Sequence, residues 1–204
     1  MNGIIAEIRD YIHQKLDPER YRHSLGVMDT ARMLAEQHGE DPERAALAGI
    51  LHDCGKYCSD EDAITRLEAV GYALNDVERF EPELLHGHVG ALIAQEKFHV
   101  TDVGILSAVA CHTTGKTGMS LLDKIVYIAD YIEPGREGDW VYPLRRAAYQ
   151  DIDHALVMCA DSTMTYVMRK GEPIHPDTVH MRNEILMAMA SRKHLGLVKK
   201  QLVL

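Results

Sequence analysis

At 204 residues, with 46% hydrophobic and 26% charged residues, the chain can bury a sizeable core, and its composition excludes a disordered or low-complexity protein. The formal net charge of -9 argues against coating a nucleic acid polymer, which relies on basic surface to displace counterions. No run approaches the roughly 20 apolar residues of a membrane span, and Glu7, Arg9 and Asp10 break the first apolar pattern, so an amphipathic helix and a cytoplasmic location are expected in place of a signal peptide or membrane anchor.

Helical periodicity predicts nearly every element. Residues 3–15 place Ile4, Ile5, Ile8, Tyr11 and Ile12 on one face. The segment DPERYRHSLGVMDTARMLAEQHG opens with Asp17 as N-cap and Pro18 at the first helical position, and closes at Gly39. DPERAALAGILHDCG repeats the device with Asp41 and Pro42, with Gly55 as the expected stop. Further helices are predicted over 60–70, 87–97, 102–112, 120–133, 151–170 and about 176–193, with irregular chain around Glu81-Pro82 and a loop over 134–142. No alternation of period two is present. The expectation is an all-α, bundle-like fold forming a single domain over residues 1–204.

Cys54, Cys58, Cys111 and Cys159 are scattered and read as free thiols, since no second Cys pair completes a zinc motif. Histidine is the unusual feature, with 12 residues against 2 Phe and 1 Trp. Five polar interruptions of apolar helical faces stand out: His23 in YRHSLGV, His52-Asp53 in GILHDCG, His86 in ELLHGHVG, His112 in VACHTTG and Asp130 in IVYIADYIEPGR. Singly, each reads as a hydrogen-bonded core residue. Together they supply imidazoles and carboxylates suited to two divalent transition metals, because a carboxylate can bridge two ions. Asp130 carries the most weight: a carboxylate within IVYIADYI is costly to bury without a metal or an arginine partner.

The order His23, His52-Asp53, Asp130 resembles the H…HD…D signature of the HD-domain metal-dependent phosphohydrolases, an all-helical superfamily. YRHSLGV, AGILHDCGK, LLHGHVGA, CHTTG, MSLLDKIVYIADYIEPGR and PIHPDTV together resemble the YqeK family, bacterial symmetrical diadenosine tetraphosphate hydrolases, across nearly the whole chain. The resemblance implies an HD-domain helical bundle with its metal core over about 18–136 and C-terminal helices over about 151–193. It also implies a two-iron site, with manganese or zinc as alternatives. On that pattern His23, His52, Asp53 and Asp130 hold one ion and His86 and His112 the second, with Asp53 shared; His88, two residues from His86, competes for that role.

Two ions about 3.5–4 Å apart activate a hydroxide and clamp a substrate oxygen, which is what phosphoanhydride hydrolysis requires. Lys56 and Arg136 are the candidate cations for the remaining phosphates, and Thr113, Thr114 and Lys116 in HTTGK the candidate polar contacts. His175, in PIHPDTV, is a further candidate substrate contact. The expected reaction is symmetrical hydrolysis of a dinucleoside polyphosphate, diadenosine tetraphosphate, to two ADP. The alternatives are an HD phosphohydrolase acting on a nucleoside monophosphate or guanosine tetraphosphate, and a non-catalytic nucleotide-binding module. The apolar helices leave room for a homodimer.

Overall fold

The computed structural model describes residues 2–201, with side chains described for 3–192. Eleven α-helices and one 3₁₀ helix follow one another among the described residues, with no strand: α1 Asn2–Lys15, α2 Pro18–His38, α3 Pro42–Leu51, α4 Asp60–Ala69, α5 Asp76–Phe80, the 3₁₀ helix Pro82–Leu85, α6 His86–Phe98, α7 Val103–Cys111, α8 Leu121–Ile132, α9 Val141–Gln150, α10 Ile152–Lys170 and α11 Pro176–Gln201.

The two D-P-E-R segments start α2 and α3 as their chemistry requires. Asp17 accepts from the Glu19 and Arg20 amides, Asp41 accepts from those of Glu43 and Arg44, and each following Pro occupies a position whose N–H would have no helical partner. Helices α2, α3, α7 and α8 pack together, α6 lies on α7, and α9 and α10 pack on α8. Their shared core includes the fully buried Leu34, Ile50, Leu51, Ile125 and Ile128, each contributing about 1.5–3 kcal/mol through removal from water. The inner ends of these helices carry the polar residues singled out above.

Four features depart from the sequence expectation. Helix α3 ends at Leu51, one turn before Gly55, and the chain tightens into successive three-residue turns, with Cys54 bonded to Leu51 O, Lys56 to Asp53 O and Cys58 to Gly55 O. Gly55 is therefore no helix cap. A Cβ there would collide with the His86 carbonyl and lie 2.7 Å from Gly90 N, so glycine is required by the close approach of α6. The region around Glu81-Pro82 holds α5, fixed by an Asn75/Glu78 capping box, and a 3₁₀ turn. Helix α9 starts inside the expected loop, without a side-chain cap, and its Pro143 falls in the first turn where a missing N–H costs nothing. Finally, α11 continues to Gln201, past the expected end near 193.

Candidate metal centre

His52, His86 and His112 each stand just past a helical segment: His52 caps α3, His112 caps α7 and His86 follows the 3₁₀ turn. The last carbonyls of a helix lack partners, and each ring supplies one through Nδ1. His52 donates to Gly49 O at 2.7 Å, His86 to Glu83 O at 2.6 Å and His112 to Val109 O at 2.7 Å. A carbonyl only accepts, so the proton lies on Nδ1 and the Nε2 lone pair is left to face inward. His23, from the first turns of α2, places Nδ1 3.1 Å from Glu133 Oε1 and turns Nε2 toward the same interior.

Asp53 is buried at the centre, and its two oxygens face different histidines. Oδ2 lies 3.4 Å from His52 Nε2 and 4.0 Å from His23 Nε2, whereas Oδ1 lies 3.2 Å from His86 Nε2 and 3.7 Å from His112 Nε2. Asp130 joins the first group, with Oδ1 2.9 Å from His23 Nε2. Donor atoms of His23, His52 and Asp130 all fall within 4.8 Å of one another, as do those of His52, Asp53 and His112. The six residues singled out in the sequence thus converge from α2, the α3 terminus, α6, the α7 terminus and α8.

The donor set fits divalent metal. The Nε2 atoms of His86 and His112 are 3.0 Å apart, and those of His23 and His52 are 3.2 Å apart. For His86 and His112 the inward nitrogens are both lone-pair acceptors; the Thr113 hydroxyl beside them has one proton and can serve only one, so the pair as a whole calls for a cation or an added proton. Burial opposes ionisation of Asp53, yet the surrounding imidazoles, His52 foremost, hold its carboxyl well below the usual range. Burial likewise opposes the charge on Asp130, which His23, His52 and Arg136 keep ionised. For His86 burial pushes the ring down, leaving it in the neutral form that binds metal. At His23 burial also works against the charged ring, but Asp130 and Glu133 together hold it above the ordinary histidine value.

Cations border this cluster. Arg20 Nη1 donates to Asp53 Oδ2 at 2.8 Å, and Arg136 donates to the Asp130 side chain at 2.6 Å and to its carbonyl at 2.8 Å. Lys56 Nζ is 2.8 Å from Glu83 Oε1 and 3.3 Å from His86 Nδ1. Arg20 and Glu133 escape the sequence reading, since DPER and IEPGR look like ordinary charged helix ends.

Three expected contacts lie elsewhere. The hydroxyl at the cluster belongs to Thr113, 3.2 Å from both His86 Nε2 and His112 Nε2. Thr114 turns the other way, bonding Gly115 O and receiving Thr178 on its own carbonyl. His175 is buried in a second polar cluster, 2.9 Å from Asn75 Nδ2 and 3.6 Å from Glu78 Oε1. His88 belongs there too, packed on the Tyr72 ring with Nε2 3.2 Å from its hydroxyl. Lys116 bonds Ser107 of α7 and pairs with Asp123 at the start of α8.

Comparison with known proteins shows the family. The HD domain matches residues 20–135, which bracket His23 and Asp130. The symmetrical bis(5'-nucleosyl)-tetraphosphatase of Bacillus subtilis is 40% identical over 170 residues, covering 82% of this chain and 89% of that protein. The chain belongs to the HD-domain family, within the group of the symmetrical bis(5'-nucleosyl)-tetraphosphatases. A second such tetraphosphatase, from Halalkalibacterium halodurans, is 38% identical over 172 residues, 84% of this chain and 91% of its own. The crystal structure of a predicted HD superfamily hydrolase involved in NAD metabolism from Clostridium acetobutylicum superposes with a TM-score of 0.88 at 44% identity, covering 90% of this chain and 97% of that one. Membership of the HD-domain family implies divalent metal binding, and the His/Asp cluster is where its donors gather.

Proposed function

We propose that this protein hydrolyses dinucleoside tetraphosphates symmetrically, converting diadenosine tetraphosphate and water to two ADP. The relatives that match most of its length are symmetrical bis(5'-nucleosyl)-tetraphosphatases. The observation that carries the reading within this chain is the two-sided Asp53, with His23 and His52 at one oxygen and His86 and His112 at the other.

In this reading His23, His52, Asp53 and Asp130 hold one ion and His86 and His112 a second, with the Asp53 carboxylate shared; iron is the proposed metal, manganese or zinc the alternatives. Bound there, two such ions supply a nucleophile at neutral pH and neutralise charge on the phosphoryl oxygens. The protein's own part is positioning. Glu133 and the helix-end carbonyls orient the rings, while Lys56, Arg136 and Arg20 offer positive charge to the flanking phosphates. Thr113 offers a hydroxyl beside His86 and His112.

The same reading takes residues 1–204 as one HD-type domain acting on a small nucleotide, with no nucleic acid polymer or membrane as partner. The free thiols of Cys54, Cys58, Cys111 and Cys159 suit a reducing cytoplasm. Exposed Phe80 and Val103 are apolar surface that a homodimer would cover. The test is hydrolysis of diadenosine tetraphosphate in oxygen-18 water. Two ADP, with one labelled oxygen per cleavage event, are expected, and ATP plus AMP as the main products would overturn the symmetrical register.

A further inference from the structure

Three residues of the proposed site come from one short segment: Asp130 in the last turn of α8, Glu133 at its cap and Arg136 in the turn beyond. Carbonyls at the end of a helix lack helical partners. Arg136 covers one of them, donating Nε to Asp130 O at 2.8 Å. Two more, and the Arg136 carbonyl beyond them, are taken by Arg145 of α9, which donates Nε to Ile132 O at 2.9 Å and Nη2 to Glu133 O at 2.8 Å and Arg136 O at 2.9 Å. Arg145 is half-buried, and among the described residues it pairs with no carboxylate, so its hydrogen bonds go to the main chain. A cation is favoured at this negative end of the α8 dipole, and a flat guanidinium holds separate carbonyls at a fixed spacing as an ammonium does not.

The turn so held has little slack. Glu133 is buried, with Oε1 3.1 Å from His23 Nδ1 and Oε2 accepting from Gly135 N at 2.6 Å. A Cβ on Gly26 of α2 would collide with this carboxylate, and one on Gly135 would lie 2.9 Å from its Oε1. A shift of the main chain at 132–136 would therefore move Glu133 out of register with the His23 ring. Packing of α9 on α8 through the buried Val141, Leu144 and Ala148 is what brings Arg145 to that main chain.

Resting on the two-ion reading above, we propose that Arg145 is a positioning residue: by clamping the carbonyls of Ile132, Glu133 and Arg136 it fixes the turn that aims Asp130 and Glu133 at the His23 ion and Arg136 at substrate phosphate. Its hydrogen bonds reach none of the metal donors, so it acts through the main chain of the turn. His86 and His112, the donors of the second ion, come from α6 and the end of α7 and lie outside this turn. Loss of Arg145 should thus fall on one ion and spare the other.

The test is the affinity of the full-length protein for Mn²⁺, measured by calorimetry after chelation. Arg145→Ala should weaken one ion about tenfold, the low end of the range for losing an outer partner of metal ligands, and leave the other unchanged. Arg146→Ala, at the exposed neighbouring arginine, should change neither. In a His86→Ala background, which keeps the His23 ion, Arg145→Ala should cause the same loss; in an Asp130→Ala background it should add little, since coupled residues are not additive. Catalytic efficiency toward diadenosine tetraphosphate should fall in Arg145→Ala, and methylguanidinium, at concentrations that leave the melting temperature unchanged, should restore part of it. Equal weakening of both ions, or unchanged affinity for both, would overturn the role. Where Arg145→Ala does not fold, Arg145→Lys, which keeps the stem and the charge, carries the same comparison with the same selective loss expected. If the wild-type protein fails to cleave diadenosine tetraphosphate while Arg145→Ala still loses one ion selectively, the proposed reaction falls and the positioning role stands. Uptake of a single ion by the wild type would end the two-ion reading; a tenfold loss of that ion in Arg145→Ala, beside an unchanged Arg146→Ala, would keep the role, and no loss would remove it.

Discussion

Asp53 Oδ1 and His86 Nε2 lie 3.2 Å apart, although the two residues come from the end of α3 and the start of α6. His88, two positions on, points to the Tyr72 side instead. His86→Ala should therefore lower bound metal and remove most hydrolysis. His88→Ala should keep its metal and near-normal turnover while losing about 1 kcal/mol of stability with the Tyr72 contact. Elemental analysis of both variants decides between them, and a metal deficit in the His88 variant alone would reverse the assignment.

Asp53 is buried, and its side chain faces imidazoles and the Arg20 guanidinium. Replacing it with Ala should abolish hydrolysis and lower metal content while leaving far-UV circular dichroism unchanged. Substantial turnover with full metal occupancy in that variant would remove Asp53 from the centre of the scheme.

Gly55 touches α6 where no side chain fits. Gly55→Ala should cost about 1–3 kcal/mol by overpacking, measured by urea denaturation. Because the collision is with the carbonyl of His86 itself, activity should fall further than the stability loss explains. An alanine variant with wild-type kinetics would show that α6 can shift without disturbing its histidine.

Asp153 accepts from Lys124 Nζ and Arg192 Nη2, each at 2.6 Å, tying α8, α10 and α11 together. Burial alone would raise its carboxyl, but the bonds from Lys124 and Arg192 hold it below the usual range. A depressed folded-state pKa stabilises the protein above the unfolded value, about 3.9, and that stability is lost as pH falls toward the folded value. Asp153→Asn should thus be less stable at pH 7 by about 1 kcal/mol, discounted for the exposure of Arg192, and the gap should shrink below about pH 4. An equal gap at pH 7 and pH 3 would point to packing as the cause.

The long helices were legible because proline, aspartate and apolar period act locally, as at Asp17-Pro18 and Asp41-Pro42. The six clustered residues were legible because a histidine or carboxylate inside an apolar run is anomalous wherever it occurs. Contacts between distant charged segments were not: Arg20 and Glu133 sit in sequences that any solvated helix end could carry, and only the packing of α2 against α3 and α8 brings Arg20 to Asp53 and Glu133 to His23. Neighbouring residues of one type were equally ambiguous. Thr113 and Thr114 lie side by side in the turn that follows α7, and their partners across the fold decide which hydroxyl meets His112.

The carbonyls of Gly49, Glu83 and Val109 give the centre a thermodynamic character of its own. Each fixes its ring from the backbone three residues earlier, so the orientation of three donors is a property of the helix ends and owes nothing to an ion. The entropic cost of aligning those rings is borne during folding, unlike a zinc finger, whose chain acquires its order only as the ion binds. Chelation should accordingly leave the helical spectrum intact and act as the removal of a ligand from a finished receptor, lowering the melting temperature in proportion to the logarithm of metal concentration over its dissociation constant.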